Sequence, residues 1–280
     1  MKLDTATQQY SQLIEDGFCV FEGILDAEMV KRVDHISNRV LASRDPEHFE
    51  KQKSTGSLVS ICEDPDFVEL ITWPKALDAL NALGFDRPTF HSGYIISKPP
   101  HSPPLFWHQD WFGWNDPVSY GPPPQQLFLM YYLVDTTPAN GCLRLIPGSH
   151  LRRHRLHDAA PEAHTQDLQR VSDPDHPAFQ HAEDEIDVMV RAGDLVIGDA
   201  RILHSAHANR RENRRTVITL WYHPLFYDLP DSMRAHLAIS RISDDWPEEV
   251  RERLLPLKPV YNGEAEPMEL NRVPGPALTI

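Results

Sequence analysis

Three side chains of the types that make an open metal site occur in this sequence in two separate segments. The run WHQDW (107–111) sets His108 and Asp110 two residues apart. On a strand, residues i and i+2 project to one face, so an imidazole and a carboxylate stand side by side there. Gln109 between them points elsewhere if the strand is regular. Fifteen histidines make a chance HxD match easy, so the motif needs a partner. The run IGDARILHSAHANRRENRR (197–215) supplies one: a Gly193-Asp194 turn leads into a β-type run that ends on His204. Two imidazoles and one carboxylate form the facial set that leaves three positions of Fe(II) free for a chelating keto acid and O₂. Four protein ligands would suit structural zinc instead. His207 competes with His204 for the third place. Three apart on a strand, they face opposite ways, so only one can join His108 and Asp110.

A keto acid held on iron also needs a partner for its far carboxylate, and the planar fork of arginine suits it. Arg215 opens the run RTVITLWY, with Val217 and Thr219 on its face, and Thr219 is the nearest hydroxyl there. Arg214 takes the role if the register shifts by one. Trp107, Trp111, Phe112 and Trp114 crowd the HQD segment, as a pocket wall or as core. Trp111, beside Asp110, is the substrate contact singled out among them.

The elements that must position these groups are short strands. Residues 90–97, 126–134, 142–146, 186–190, 194–198 and 215–222 read as β-runs separated by Gly and Pro turn signals. That pattern predicts a mainly β sandwich or jelly-roll barrel, and the lack of strand–helix alternation disfavours a doubly wound nucleotide fold. Ahead of it, residues 1–45 read as helical around a strand at 18–21. Asp4 or Thr5 would cap the first helix, and Asp26 the second. Residues 43–58 read as a polar loop. Residues 152–185 read as a surface excursion, either solvated or a lid. Residues 228–260 read as helical and polar, and the last twenty as irregular. One domain over 1–280 is expected, with N-terminal helices over about 1–45, a core over about 88–224 and a C-terminal helical region over about 228–260.

Twenty-seven basic against 41 acidic residues give a formal net charge of −14, which argues against nucleic acid or an anionic membrane surface as partner. Three cysteines without a CxxC pair fit a reducing compartment. The N-terminus lacks the apolar core of a signal peptide and no apolar run reaches 18 residues, so a cytoplasmic location is expected.

Taken together, EDGFCVFEGILDAEMVKRV (15–33), YIISKPP (94–100), HQD (108–110), NGCLRLIPGSH (140–150) and AGDLVIGDARILHSAHANRRENRRT (192–216) resemble the phytanoyl-CoA dioxygenase family of Fe(II)/2-oxoglutarate oxygenases. The resemblance covers most of the chain. It implies a double-stranded β-helix (jelly-roll, cupin-like) core with flanking helices. It implies His108, Asp110 and His204 as iron ligands, and Arg215 as the 2-oxoglutarate anchor. Gln109 then reaches the cofactor or substrate. Tyr94 and Lys98 in YIISKPP become candidate substrate contacts. The family often carries Ser two residues after the second His; here that residue is Ala206, so Thr219 or Tyr132 stands in. A carboxylate at Asp110 implies a hydroxylase rather than a halogenase. The implied reaction oxidises a small molecule with release of succinate and CO₂. The acidic balance offers no basic groove for a coenzyme A phosphate and favours a smaller or neutral substrate. Rival expectations are a cupin-type metalloenzyme without 2-oxoglutarate, which has no need of Arg215, and a non-catalytic binding relative.

Overall fold

The computed structural model describes residues 5–159, 164–239 and 241–280. Helix α1 (Thr5–Asp16) begins at Thr5; Asp4, the other capping candidate, lies outside the described residues. It stops at Gly17, whose φ of +88° only glycine adopts freely. A Cβ there would lie 2.7 Å from His150 Nδ1. Strand β1 (Phe18–Phe21) follows, then α2 (Ala27–Ala42), where the Asp26 carboxylate accepts the Met29 N–H at 2.8 Å. Met29, Val33, Ile36 and Val40 fall on one helix face and are buried.

The stretch 43–58 is not wholly loop. Asp45-Pro46 opens α3 (Pro46–Lys51), because proline at the first helical position fixes φ and sacrifices an N–H that would be unpaired anyway. Then come β2 (Val59–Ser60), α4 (Val68–Ile71), α5 (Pro74–Ala82) and the long β3 (Thr89–Lys98). The rest of the β-structure is β4 (Leu127–Tyr132), β5 (Leu143–Leu145), β6 (Ile186–Val188), β7 (Leu195–Asp199), β8 (His204–Ala206) and β9 (Arg215–His223).

These strands make two antiparallel sheets, one in the order β1-β7-β4-β9-β3-β2 and a smaller one in the order β6-β5-β8. Period-two alternation divides the faces of the large sheet. Leu127, Leu129, Tyr131, Ile197, Ile218 and Leu220 face outward and pack with α2, α4 and α5. Phe128, Met130, Tyr132, Val196 and Val217 face inward and meet Leu143, Leu145, Val188 and Ile202 of the small-sheet side. The sheets therefore face one another, with helices behind the larger one.

The excursion between β5 and β6 carries α6 (Leu156–Ala159) and α7 (Gln166–Arg170); most of its described residues are exposed or half-buried, and a few buried ones anchor it. Leu168, Ala178 and Phe179 bury Leu105 and Phe106. Helices α8 (Asp231–Leu237) and α9 (Glu248–Leu254) follow β9. The C-terminal segment is irregular but pinned: Asn271 N–H donates to Phe112 O, and Leu278 is buried with Trp111 and Trp114. No described helix is long and apolar enough to cross a membrane.

Candidate metal centre

His108 and Asp110 do not sit on a regular strand. Pro103 and Pro104 cannot donate to a ladder, and the neighbouring chain turns away after β7, so pairing is partial. His108 and His204 exchange two backbone hydrogen bonds, at 3.0 and 2.8 Å, and Leu105 N–H donates to Ala206 O. The segment 105–108 thus extends the small sheet past β8. Beyond it, the Asp110 and Trp111 N–H groups both donate to Ala200 O. His204 begins β8 rather than ending the preceding run, because Ala200–Ile202 forms a turn. That turn is locked by Arg201, fully buried, which pairs with Asp199 at 2.6 Å and donates to the Ser119 and Gly121 carbonyls.

The result is convergent. His108 Nε2 lies 3.6 Å from Asp110 Oδ1, and His204 Nε2 lies 3.8 Å from Asp110 Oδ2. One donor atom from each of the three lies within 4.8 Å of the others, and among the described residues no fourth donor joins them. Each imidazole uses Nδ1 on a backbone carbonyl at 3.0 Å, His108 on Phe106 O and His204 on Ile202 O. With the proton held on Nδ1, both Nε2 lone pairs face the gap. Burial, then the neighbouring His204 and His164, pushes the His108 pKa well below the usual imidazole range. It therefore stays neutral, the form that binds a metal.

Trp221, on the inward face of β9, donates its indole N–H to Asp110 Oδ2 at 2.9 Å and fixes that carboxylate. Phe128 places its ring 5.1 Å from that of His204. Gly198 opposite leaves it room, since a Cβ there would lie 2.1 Å from the Phe128 ring. His164, from the excursion, stacks edge-on against His108 at 4.9 Å.

Arg215 is buried on the inward face of β9 and makes no hydrogen bond or ion pair among the described residues; its Nε is buried without a partner. Thr219 Oγ1, on the same face, is likewise unpaired. Tyr132 also faces the interior beside Arg215, its hydroxyl meeting only Met130 Sδ at 3.7 Å.

Among the remaining candidates, Gln109, Lys98 and Trp111 do not stand where the sequence reading put them. His207 turns to the outer side, 2.6 Å from Asp187. Arg214 donates to Ser97 O and lies over Phe49, away from the interior. Gln109 is taken at both ends, accepting from Trp114 Nε1 and donating to Arg272 O, so its amide ties the C-terminal segment rather than reaching the gap. Lys98 does not line the cleft. Its place opposite Arg215 in the β3–β9 register buries it, with Nζ on Ser54 O and Pro103 O. Trp111 packs in the core under the C-terminal segment and donates to Ser119 Oγ. Tyr94 does line the cleft that reaches Asp110, together with Trp221. Ser205 cannot replace the missing serine: it bonds Leu105 O and Arg144 on the far side of the strand.

The residues sequence reasoning missed are Trp221, His164, Arg201 and Arg272. Arg272 donates to Asp110 O at 2.8 Å from the C-terminal segment. Only Trp221 carried a signal, since it shares the alternation of Arg215 and Thr219. Trp221→Phe is expected to weaken Fe(II) binding roughly 10- to 100-fold, as losing an outer-shell partner of a ligand does. An anaerobic Fe(II) titration with unchanged circular dichroism checks it.

The family model described as Phytanoyl-CoA dioxygenase (PhyH) matches residues 13–217. The chain belongs to the phytanoyl-CoA dioxygenase family. The ectoine dioxygenase of Sphingopyxis alaskensis is 23% identical over 219 residues, covering 73% of this chain and 71% of that protein. A Stutzerimonas stutzeri protein named "Probable alpha-ketoglutarate-dependent hypophosphite dioxygenase" is 24% identical over 233 residues, 77% of each chain. Among solved structures, the epimerase SnoN in complex with Fe3+, alpha ketoglutarate and nogalamycin RO superposes with a TM-score of 0.60 at 21% identity, over 96% of this chain and 97% of that one. This phytanoyl-CoA dioxygenase family member thus shares its sheet-rich fold with that epimerase.

Proposed function

We propose that this chain is a non-haem Fe(II)- and 2-oxoglutarate-dependent oxygenase that hydroxylates a small molecule, with His108, Asp110 and His204 as iron ligands. The observation that carries the reading is the pairing of two features. Three buried donors converge with one side open, and nearby lies a buried arginine without any protein anion. The residues fit the cofactors. Both Nε2 atoms are free, and Lys98 and Arg215 stand side by side in the interior. A buried guanidinium with no counter-ion is costly, and the far carboxylate of 2-oxoglutarate is such a counter-ion. A cupin-type metalloenzyme without a keto acid has no use for that arginine.

Iron held by His108, Asp110 and His204, with 2-oxoglutarate, would supply the O₂-dependent oxidising chemistry that yields succinate, CO₂ and an oxidised substrate C–H bond. The protein's own work is placement and shielding. Phe106 O and Ile202 O hold the Nδ1 protons of His108 and His204. Trp221 orients the Asp110 carboxylate, and Arg215 with Thr219 receives the far end of the keto acid. Phe106, Phe128 and the buried residues of the excursion limit water at the ligands.

The two facing antiparallel sheets support a double-stranded β-helix (jelly-roll) core. The C-terminal segment pinned on the ligand segment supports a single domain over 1–280. A cytoplasmic enzyme acting on a free metabolite accords with both, as do relatives named for ectoine and hypophosphite. Anaerobic protein is expected to take up one Fe(II) and, with 2-oxoglutarate, to give a weak visible charge-transfer band; in air it should release succinate. Protein that binds Fe(II) but gives no band with 2-oxoglutarate would remove the keto acid from the proposal.

A further inference from the structure

We infer that the substrate carries an oxyanionic group, a carboxylate, phosphate or phosphonate, received by Arg241 and Arg272 at the mouth of the cleft. The inference rests on the iron and 2-oxoglutarate reading for where in that cleft the reaction occurs.

The cleft has a volume of about 280 Å³ and is lined by Asp110, Tyr94, Trp221 and two exposed arginines, Arg241 and Arg272. Among the described residues, Asp110 is the only acidic one lining it. In a chain of net charge −14, a cleft lined by two arginines and, among the described residues, by no acid but Asp110 is a local reversal of sign. It replaces the neutral substrate that the overall balance suggested. Arg241 has no hydrogen bond or ion pair among the described residues. Arg272 spends one N–H on Asp110 O and lies over the Phe112 ring, leaving most of its fork free. A guanidinium with open donors beside a cleft is suited to planar, bidentate capture of an oxyanion.

Two buried groups on the cleft wall complete the argument. His91 Nδ1 and Gln126 Oε1 are each shut off from solvent without a hydrogen-bond partner, and both residues line the cleft. Buried polar atoms are rarely left so, and here they mark that part of the cleft wall as polar. Burial, with Arg241 nearby among the lesser causes, keeps both His91 and His236 on the neutral side. The positive charge that meets the substrate is therefore that of the arginines. The volume sits just below the range of about 300–1,000 Å³ usual for small-molecule sites, so the enclosed part of the substrate is small. The cationic mouth would also draw an anion toward the cleft against the repulsion of the acidic chain.

The test uses the whole protein, loaded anaerobically with Fe(II) and saturating 2-oxoglutarate so that the interior cations are taken. Butyrate, propylphosphonate and the neutral butyramide are titrated while tryptophan fluorescence is followed, since Trp221 lines the cleft. Both anions are expected to saturate, with butyramide at least about tenfold weaker. Arg241→Gln and Arg272→Gln should each weaken the anions by about tenfold or more, the scale of a charge-assisted hydrogen bond, and leave butyramide unmoved. Circular dichroism checks that both variants fold. Butyramide binding as tightly as butyrate, or both variants binding the anions like wild type, would overturn the inference. Absence of the visible band in wild type would count against the iron and keto-acid reading alone, because the fluorescence change and its loss in Arg241→Gln report the cleft independently.

Discussion

His204→Ala and Asp110→Ala are each expected to abolish Fe(II) binding at micromolar metal and to lower succinate release by more than about a hundredfold. Removing an outer-shell partner of a metal ligand already costs ~10- to 100-fold in affinity or activity, so losing a ligand costs more. The geometry sharpens the expectation. The three donors come from an irregular extended segment and from β8, and their backbones are tied by the His108–His204 pair of hydrogen bonds. Alanine at 204 leaves that backbone intact and takes away only the imidazole. The two remaining donors then face a gap with no fourth described residue to step in. Thermal unfolding provides a second readout. Metal that binds only the folded state stabilises by mass action, about 2.7 kcal/mol at a hundred times Kd, so Fe(II) should raise the Tm of wild type. It should leave the Tm of either variant unmoved. His207→Ala is the control, because that imidazole is turned to Asp187 on the outer side. If His207→Ala lost iron and His204→Ala kept it, the ligand assignment would be reversed.

The parts of this site that were legible beforehand are those governed by local rules. Alternation along β9 put Arg215, Val217 and Thr219 on one face and carried Trp221 with them. The Asp26 cap and the three-and-four spacing of α2 were readable for the same reason. The HxD spacing led to the right juxtaposition of His108 and Asp110 on an irregular segment. Its two prolines and the Ala200–Ile202 turn break the ladder, yet two backbone bonds to His204 keep both side chains on one side.

What could not be read depends on contacts between distant parts of the chain. Trp221 reaches Asp110 across 111 residues and Arg272 across 162. No period or motif announces such a meeting, because it is set by how the sheets close and where the tail is pinned. Gln109 and Lys98 were misjudged for a related reason. Each has the chemistry for a ligand contact, but its polar atoms are already taken: Gln109 accepts from Trp114 and donates to the distant Arg272 O, and Lys98 donates to Pro103 O and the distant Ser54 O.

Arg215→Met is expected to separate binding from stability. For 2-oxoglutarate, the apparent KM should rise by about 30- to 5,000-fold, the range in which truncating one side of a buried charge pair falls at 2–5 kcal/mol. Iron affinity without the keto acid should change little, since Arg215 touches none of the three ligands. In the ligand-free protein the sign reverses. The Arg215 guanidinium lies buried opposite Lys98; burial pulls both cations below their ordinary pKa, and Arg215 adds to the lowering at Lys98. Replacing one of two unpaired buried charges by an apolar side chain of similar length removes a desolvation cost and is expected to raise the Tm. Thr219→Val should act the same way on a smaller scale. Its hydroxyl has no partner, so removing it relieves a buried unsatisfied group worth about 1–3 kcal/mol while taking a donor from the bound carboxylate. An arginine that merely braced the barrel would lose stability on replacement and leave KM alone. Gain of ligand-free stability together with loss of 2-oxoglutarate affinity is the signature of a cation held ready for an absent anion, and a fall in both would refute that role for Arg215.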